Sequence, residues 1–142
     1  LAAAHPRQFA VKIGFDESLA HLIEGAADMF LMPSRYEPCG LNQMYSLRYG
    51  TPPIVHRTGG LADTVRLWDP ATRRGNGFIF DHFNDGGLGW AMHRALECWG
   101  DGQGEARAAW QALQRNGMAE RLGWDDRVGE YEAIYRALVG PR

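Results

Sequence analysis

A chain of 142 residues is at most one domain, and with 45% of it AVILMFWYC and 23% charged it has ordinary globular usage, which argues against a disordered or fibrous chain. Fifteen Lys+Arg against seventeen Asp+Glu give a net charge of −2, so no broad basic surface is present to neutralise nucleic-acid phosphates, and no single-sign run suggests a membrane surface. No stretch approaches the roughly 20 apolar residues that span a bilayer, and Leu1 to Ala4 lacks the charged start and long apolar core of a signal peptide, so a cytoplasmic protein is expected. In that compartment Cys39 and Cys98 are expected as free thiols. The chain opens on Leu1, on what reads as the tail of a helix, which suggests a trimmed piece of something longer.

Taken in chain order, Phe9-Ala-Val-Lys-Ile13 is a short β-prone run between Pro6 and Gly14 and predicts a buried strand. Asp16-Glu-Ser is a helix-start composition, followed by Leu19, Leu22, Ile23, Ala26 and Ala27 on one expected inward face. Met29 to Met32 predicts a second strand, ended by Pro33-Ser34. Leu41 to Tyr49 predicts a helix closed by Gly50, and Pro52 to His56 a third strand with its prolines only at the beginning, where a missing N–H is tolerated. Thr58-Gly59-Gly60 leads into a helix expected to run from Leu61 to Trp68. Asp69 to Gly77 reads as a polar surface loop and Gly77 to Phe80 as a fourth strand.

Beyond Asp81 the pattern is helical only. Leu88, Ala91, Met92, Ala95, Leu96 and Trp99 share one face, and the glycine-rich stretch 100–104 separates this helix from one carrying Ala106, Ala109, Trp110 and Leu113. A last helix is expected from Trp124 to Val139, with Trp124, Val128, Tyr131, Tyr135 and Leu138 inward and Gly140-Pro141 as its stop. The five tryptophans are expected to serve core packing.

Short apolar strands alternating with helices argue for a parallel sheet covered on both faces, an α/β arrangement in which ligands sit beyond the carboxyl ends of the strands. Three loops follow strands in this way: Gly14-Phe15-Asp16, Pro33 to Gly40, and Arg57 to Leu61. In the second, Glu37 lies just before a helix whose first N–H groups, at Gly40, Leu41 and Asn42, lack helical partners and favour anionic or oxygen-rich ligands. A carboxylate beside such N–H groups suits a polyhydroxylated sugar; Glu37 would equally serve as an ordinary acidic residue at a helix start. In the third loop Gly59 and Gly60 would let backbone N–H groups approach a phosphate, or would simply make a tight turn. Gly86-Gly-Leu-Gly89 looks similar but sits farther from a strand end and reads as a decoy. The five histidines share no metal-ligand spacing, no Gly-x-Ser-x-Gly elbow occurs, and neither a metal nor a hydrolase is expected.

The stretch from Ala26 to Val65, with its "PSRYEPCGL" and "RTGGLADTV" segments, resembles the carboxyl-terminal domain of glycogen and starch synthases, and the likeness extends from about Phe9 to Leu138. These are retaining glucosyltransferases with two facing Rossmann-like domains, the GT-B arrangement. The resemblance implies a partial GT-B carboxyl-terminal domain: one truncated unit over residues 1–142, with an α/β part at 1–81 holding about four mostly parallel strands and a helical part at 82–142. It implies ADP-glucose as donor, an α-1,4-glucan as acceptor, no separate cofactor, and an amino-terminal GT-B domain as the missing partner. By position, Glu37 resembles the donor-site glutamate set against the sugar hydroxyls, and Cys39, Gly40 and Leu41 the turn whose N–H groups hold the glucose. Thr58, Gly59, Gly60 and Leu61 resemble the loop near the diphosphate and ribose, and Phe15 the aromatic against the adenine. The wider superfamily carries a second glutamate eight positions after the first, where Tyr45 stands here; glycogen and starch synthases commonly lack that second acid too, so the departure narrows the subfamily and leaves the implied activity in place. A retaining glycosidase would need two carboxylates about 5–5.5 Å apart; a single candidate favours a front-face transfer in which Glu37 positions rather than attacks.

Nothing in the chain resembles the family's Arg-Leu-x-x-Gln-Lys-Gly motif, whose cations neutralise the diphosphate, so the isolated chain is expected to be inert and to bind ADP weakly. The four strands correspond to the third to sixth of a Rossmann order, which leaves Met29 to Met32 as an exposed apolar edge. Either Phe9 to Ile13 moves in beside it or two copies associate through it. Two functional readings remain open: an excised part of a glucosyltransferase, or a stand-alone binding or assembly module that keeps the loops without turnover.

Overall fold

The computed structural model describes residues 1–140; Pro141, expected in the last helix stop, lies outside them. Its sheet has three parallel strands in the order β1 (Phe30–Met32), β2 (Pro53–His56) and β3 (Phe78–Phe80), with Leu31 opposite Ile54 and Val55 opposite Ile79. Six helices surround it: α1 (Glu17–Ala26), α2 (Asn42–Tyr49), α3 (Gly59–Thr64), α4 (Asp85–Trp99), α5 (Gly104–Met118) and α6 (Val128–Val139), with a single 3₁₀ turn at Trp124–Asp126. Helix starts and stops follow local chemistry. Asp16 caps α1 by accepting from the Leu19 N–H at 3.0 Å, Asn84 caps α4 by accepting from the Gly87 N–H at 2.8 Å, and Gly50 ends α2 at φ 78°.

The alternation of the strands divides the core in two. Ile54, Phe78 and Phe80 face α4 and α5, where they meet Trp68, Ala91, Ala95, Trp110 and Leu113; Val55 and Ile79 face the other way onto Leu61 and Val65. Trp110 carries much of the first layer, edge-on to Trp99 at 5.1 Å and stacked on Phe78 at 6.5 Å. Helices α4 and α5 therefore cover the sheet rather than forming a separate unit. Both cysteines are free; burial pushes the Cys98 thiol up to about 11.

Several expectations are corrected. Phe9 to Ile13 is not a strand: it runs as exposed coil, Ile13 is 93% accessible, and it does not cover the open edge of β1. A short apolar run has no strand of its own without a neighbour to supply the ladder, and none lies beside it here. Helix α3 ends at Thr64 rather than Trp68, because the chain then bridges to Gly77 at Leu67, and Trp68 enters the core from extended backbone. The loop to Gly77 is only partly a surface loop: Asn76 is fully buried, accepting from the Arg66 N–H at 2.7 Å and donating to the Thr64 carbonyl at 3.0 Å. The expected inward face of α1 is exposed at Leu22 and Ile23, and in its place Glu24 is buried against α2. Trp124, Val128, Tyr131, Tyr135 and Leu138 are exposed as well, because α6 touches little besides the turn before it. Trp68 and Trp110 are core residues, whereas Trp90 and Trp124 are exposed.

Candidate functional site

The carboxyl ends of β1 and β2 release two loops that meet each other. After β1 the chain runs through Glu37 to Leu41 and enters α2, whose first residue is preceded by no side-chain cap. After β2 it runs through Thr58 into α3, which also lacks one. The Gly60 N–H donates to the carbonyls of Glu37 at 3.1 Å and Pro38 at 3.2 Å, so the second loop holds the first by its backbone. The approach is so close that a Cβ on Gly59 would overlap the Glu37 carbonyl, and one on Gly60 the Cys39 carbonyl. Gly59 also has φ +41°, a conformation that favours glycine.

These contacts change the reason for the two glycines. From sequence their N–H groups could approach a phosphate or simply make a tight turn; in the structure Gly60 spends its N–H on the neighbouring loop, and Leu61 donates to the Thr58 carbonyl at 3.1 Å. The Leu61 side chain is fully buried beside Val55 and Ile79. The glycines are needed because two backbones cross.

On the first loop the opposite holds. Among the described residues the N–H groups of Cys39, Gly40, Leu41 and Asn42 donate to no backbone carbonyl, although Met44 and Tyr45 already donate to the Leu41 carbonyl at 2.9 and 3.0 Å. Glu37 is half-buried, its carbonyl is tied to the second loop, and it precedes these donors in the chain. An uncapped helix start with four unspent N–H groups is an electropositive surface for oxygen-rich or anionic groups. The decoy behaves differently: at α4 the Asn84 side chain takes the Gly87 N–H.

Phe15 stands apart from the two-loop contact. It is 94% exposed and lines a cavity of about 480 Å³ between α1 and the start of α2, together with Leu41, Asn42, Tyr45 and His21. Leu41 thus connects Phe15 to the turn carrying Cys39 and Gly40. On the α1 wall of this cavity Glu24 is 4% accessible and its Oε2 has no hydrogen-bond partner among the described residues. Burial pushes its carboxyl above the usual carboxylate range, partly offset by His21. Of the cations near the loops, Arg57 is engaged by Asp81 at 2.5 Å.

Two residues of this region escape a motif reading. Gln43, fully buried, donates from Nε2 to the carbonyls of Cys39 at 3.1 Å and Gly40 at 3.0 Å, with the Thr64 hydroxyl at 3.2 Å. Thr64 in turn donates to the Gly60 carbonyl at 2.6 Å, so the pair fastens both loops. The one sequence signal was a glutamine in the first turn of an otherwise amphipathic helix. His56, at the end of β2, lies within 3.1 Å of the Ser34 carbonyl and against Phe80 and Phe83, which ties the chain leaving β1 to the end of β2.

A short parallel sheet whose strand-end loops converge on an uncapped helix start defines a Rossmann-like domain of the GT-B carboxyl-terminal type. The family described as "Glycosyl transferases group 1" matches residues 8–116, and the chain belongs to that family. It is 51% identical over 135 residues to a glycogen synthase of Koribacter versatilis (strain Ellin345), covering 95% of this chain and 27% of the relative. It is 53% identical over 138 residues to a glycogen synthase of Anaeromyxobacter sp. (strain K), covering 97% of this chain and 28% of that protein. The catalytic domain of starch synthase IV from Arabidopsis thaliana, solved bound to ADP and acarbose, superposes with a TM-score of 0.76 at 34% identity over 87% of this chain and 25% of its own. A sucrose-phosphate synthase from Thermosynechococcus elongatus shares the fold, with a TM-score of 0.66 at 24% identity over 97% of this chain and 32% of its own. The chain therefore spans less than a third of the relatives it matches.

Proposed function

We propose that this chain is the donor-binding part of a glucosyltransferase that moves glucose from ADP-glucose to the nonreducing end of an α-1,4-glucan with retention of configuration. One observation carries the reading: four unspent N–H groups, Cys39 to Asn42, sit at an uncapped helix start beside Glu37, on a chain about half identical to glycogen synthases. Donors fixed in place before the ligand arrives act without reorganisation at the moment of reaction. In this reading Glu37 is the catalytic group that orients the sugar, and Cys39, Gly40 and Leu41 hold its oxygens. Thr58, Gly59, Gly60 and Leu61 shape the wall toward the diphosphate, and Phe15 offers a flat face for the base. A base stacked on Phe15 would lie over the cavity that Leu41 shares.

A complete site needs cations for the diphosphate and an acceptor surface, which a longer protein or a partner domain must supply. The test is made on the full-length protein that contains this chain. Glu37→Ala should lower kcat by about 100-fold or more while the Kd for ADP changes little, since the carboxylate faces the sugar and not the nucleotide. Turnover equal to that of the unaltered protein would refute the assignment.

A further inference from the structure

We propose that Gln43 is a positioning residue of the donor site, whose buried side-chain amide sets the peptide planes of the 39–41 turn so that consecutive N–H groups face the ligand. The inference rests on the transferase reading above and adds a residue that neither the motifs nor the family likeness assigns.

A peptide unit is planar and trans, so holding its carbonyl on one side turns its N–H to the other. Gln43 Nε2 holds the Cys39 and Gly40 carbonyls at 3.1 and 3.0 Å, and those two planes carry the N–H groups of Gly40 and Leu41. The Gly60 N–H holds the Pro38 carbonyl at 3.2 Å, and that plane carries the N–H of Cys39. Three successive donors are thereby turned outward, and none of them is spent on a backbone carbonyl. The orientation of the amide follows from its surroundings: Thr64 commits its own hydrogen to the Gly60 carbonyl at 2.6 Å and can only accept from Gln43, so three acceptors surround the nitrogen.

Packing alone does not account for this residue. Gln43 is 0% accessible, yet its Oε1 has no hydrogen-bond partner among the described residues and lies so close to Gly40 that a Cβ there would overlap it. A buried orphan acceptor is unfavourable, and an apolar side chain of similar length would fill the space without it. What only the amide supplies is an NH2 group whose two hydrogens are shared among the two carbonyls of the turn and the Thr64 hydroxyl. Gly40, at φ +75°, admits both the turn and the close amide.

The experiment compares the full-length protein with Gln43→Met and Gln43→Glu. Removing the donors in Gln43→Met should lower kcat by about 100-fold while the ADP Kd stays within about threefold, because the loss falls on groups aimed at the sugar. Gln43→Glu keeps the shape, so it guards against a folding failure. As a carboxylate it has no hydrogen to donate, but once protonated it regains one, and burial raises the pH at which this happens. Its kcat relative to the unaltered protein should therefore rise as pH falls from about 8 to about 6. A flat ratio, or full kcat in either variant, overturns the proposal. Crystal structures of the unaltered protein and the variants supply a readout free of activity: the 39–41 peptide planes should rotate in Gln43→Met, and unchanged planes overturn the inference. If the unaltered protein transfers no glucose from either ADP- or UDP-glucose, the transferase reading fails while the peptide planes still decide the role of Gln43.

Discussion

At the scale of single residues, the site depends on what a side chain would collide with as much as on what it offers. Gly60 lies against the Cys39 carbonyl, with no room for a Cβ, whereas Gly89, on the exposed side of α4, has open space around it. Gly60→Ala is expected to destabilise the chain by about 1–3 kcal/mol, the usual cost of overpacking, and Gly89→Ala to stabilise it by about 0.5–1 kcal/mol through helix propensity. Urea unfolding of the two variants checks the pair, and a Gly60→Ala midpoint at or above the unaltered one would remove the loop-crossing account. Glu24 gives a pH signature. Burial raises its folded-state value, so the folded chain prefers the protonated form, and stability is fully present below the unfolded value and lost as pH rises through the folded one. Glu24→Gln should therefore make the melting temperature less dependent on pH above the usual carboxylate range; an unaltered slope would show that the burial is relieved in solution. Glu37 and the two glycines were legible from their place after strands. Gln43 was not, because its partners are carbonyls, and nothing in a sequence marks which backbone oxygen a side chain will meet.

At the scale of elements, β1, β2, β3 and helices α2, α4 and α5 follow from apolar runs, periodicity and punctuating glycines, and the structure places them within a few residues of the expected bounds. Phe9 to Ile13 fails because a strand is a pairing and not a composition. Helices α1 and α6 form where expected, yet their apolar faces stay open: Leu22 is 69% and Leu138 78% accessible. Periodicity tells which face is apolar and not what covers it. The edge of β1 is open as well, with Leu31 44% accessible, and of the two ways to cover it the local one is not taken. Pairing of two copies through this edge is the remaining expectation for the isolated chain. Sedimentation over a concentration series should show association that Leu31→Lys weakens; identical sedimentation at every concentration would dismiss the edge as a contact.

At the scale of the whole molecule, a chain that spans less than a third of its relatives carries a core and an uncapped helix start beside Glu37, and the donor site proposed for it needs diphosphate-binding cations from elsewhere. The 142-residue chain alone is expected to transfer no glucose and to show weak or no heat of ADP binding in calorimetry; turnover by the purified chain would show that the site is complete within it. No helix among the described residues is long and apolar enough to cross a membrane. By itself the sequence determined the α/β class, the strand-end position of Glu37 and the Thr58-Gly59-Gly60 loop, and the glycosyltransferase likeness, because these rest on local periodicity and on residues close together in the chain. Only the tertiary structure decided that the two loops form one unit, with Gly60 donating to Glu37 and Gln43 holding Cys39 and Gly40. The crossing joins segments some 20 residues apart, as the Gln43–Thr64 separation of 21 shows, and long-range backbone contact leaves no periodic trace in the sequence it connects.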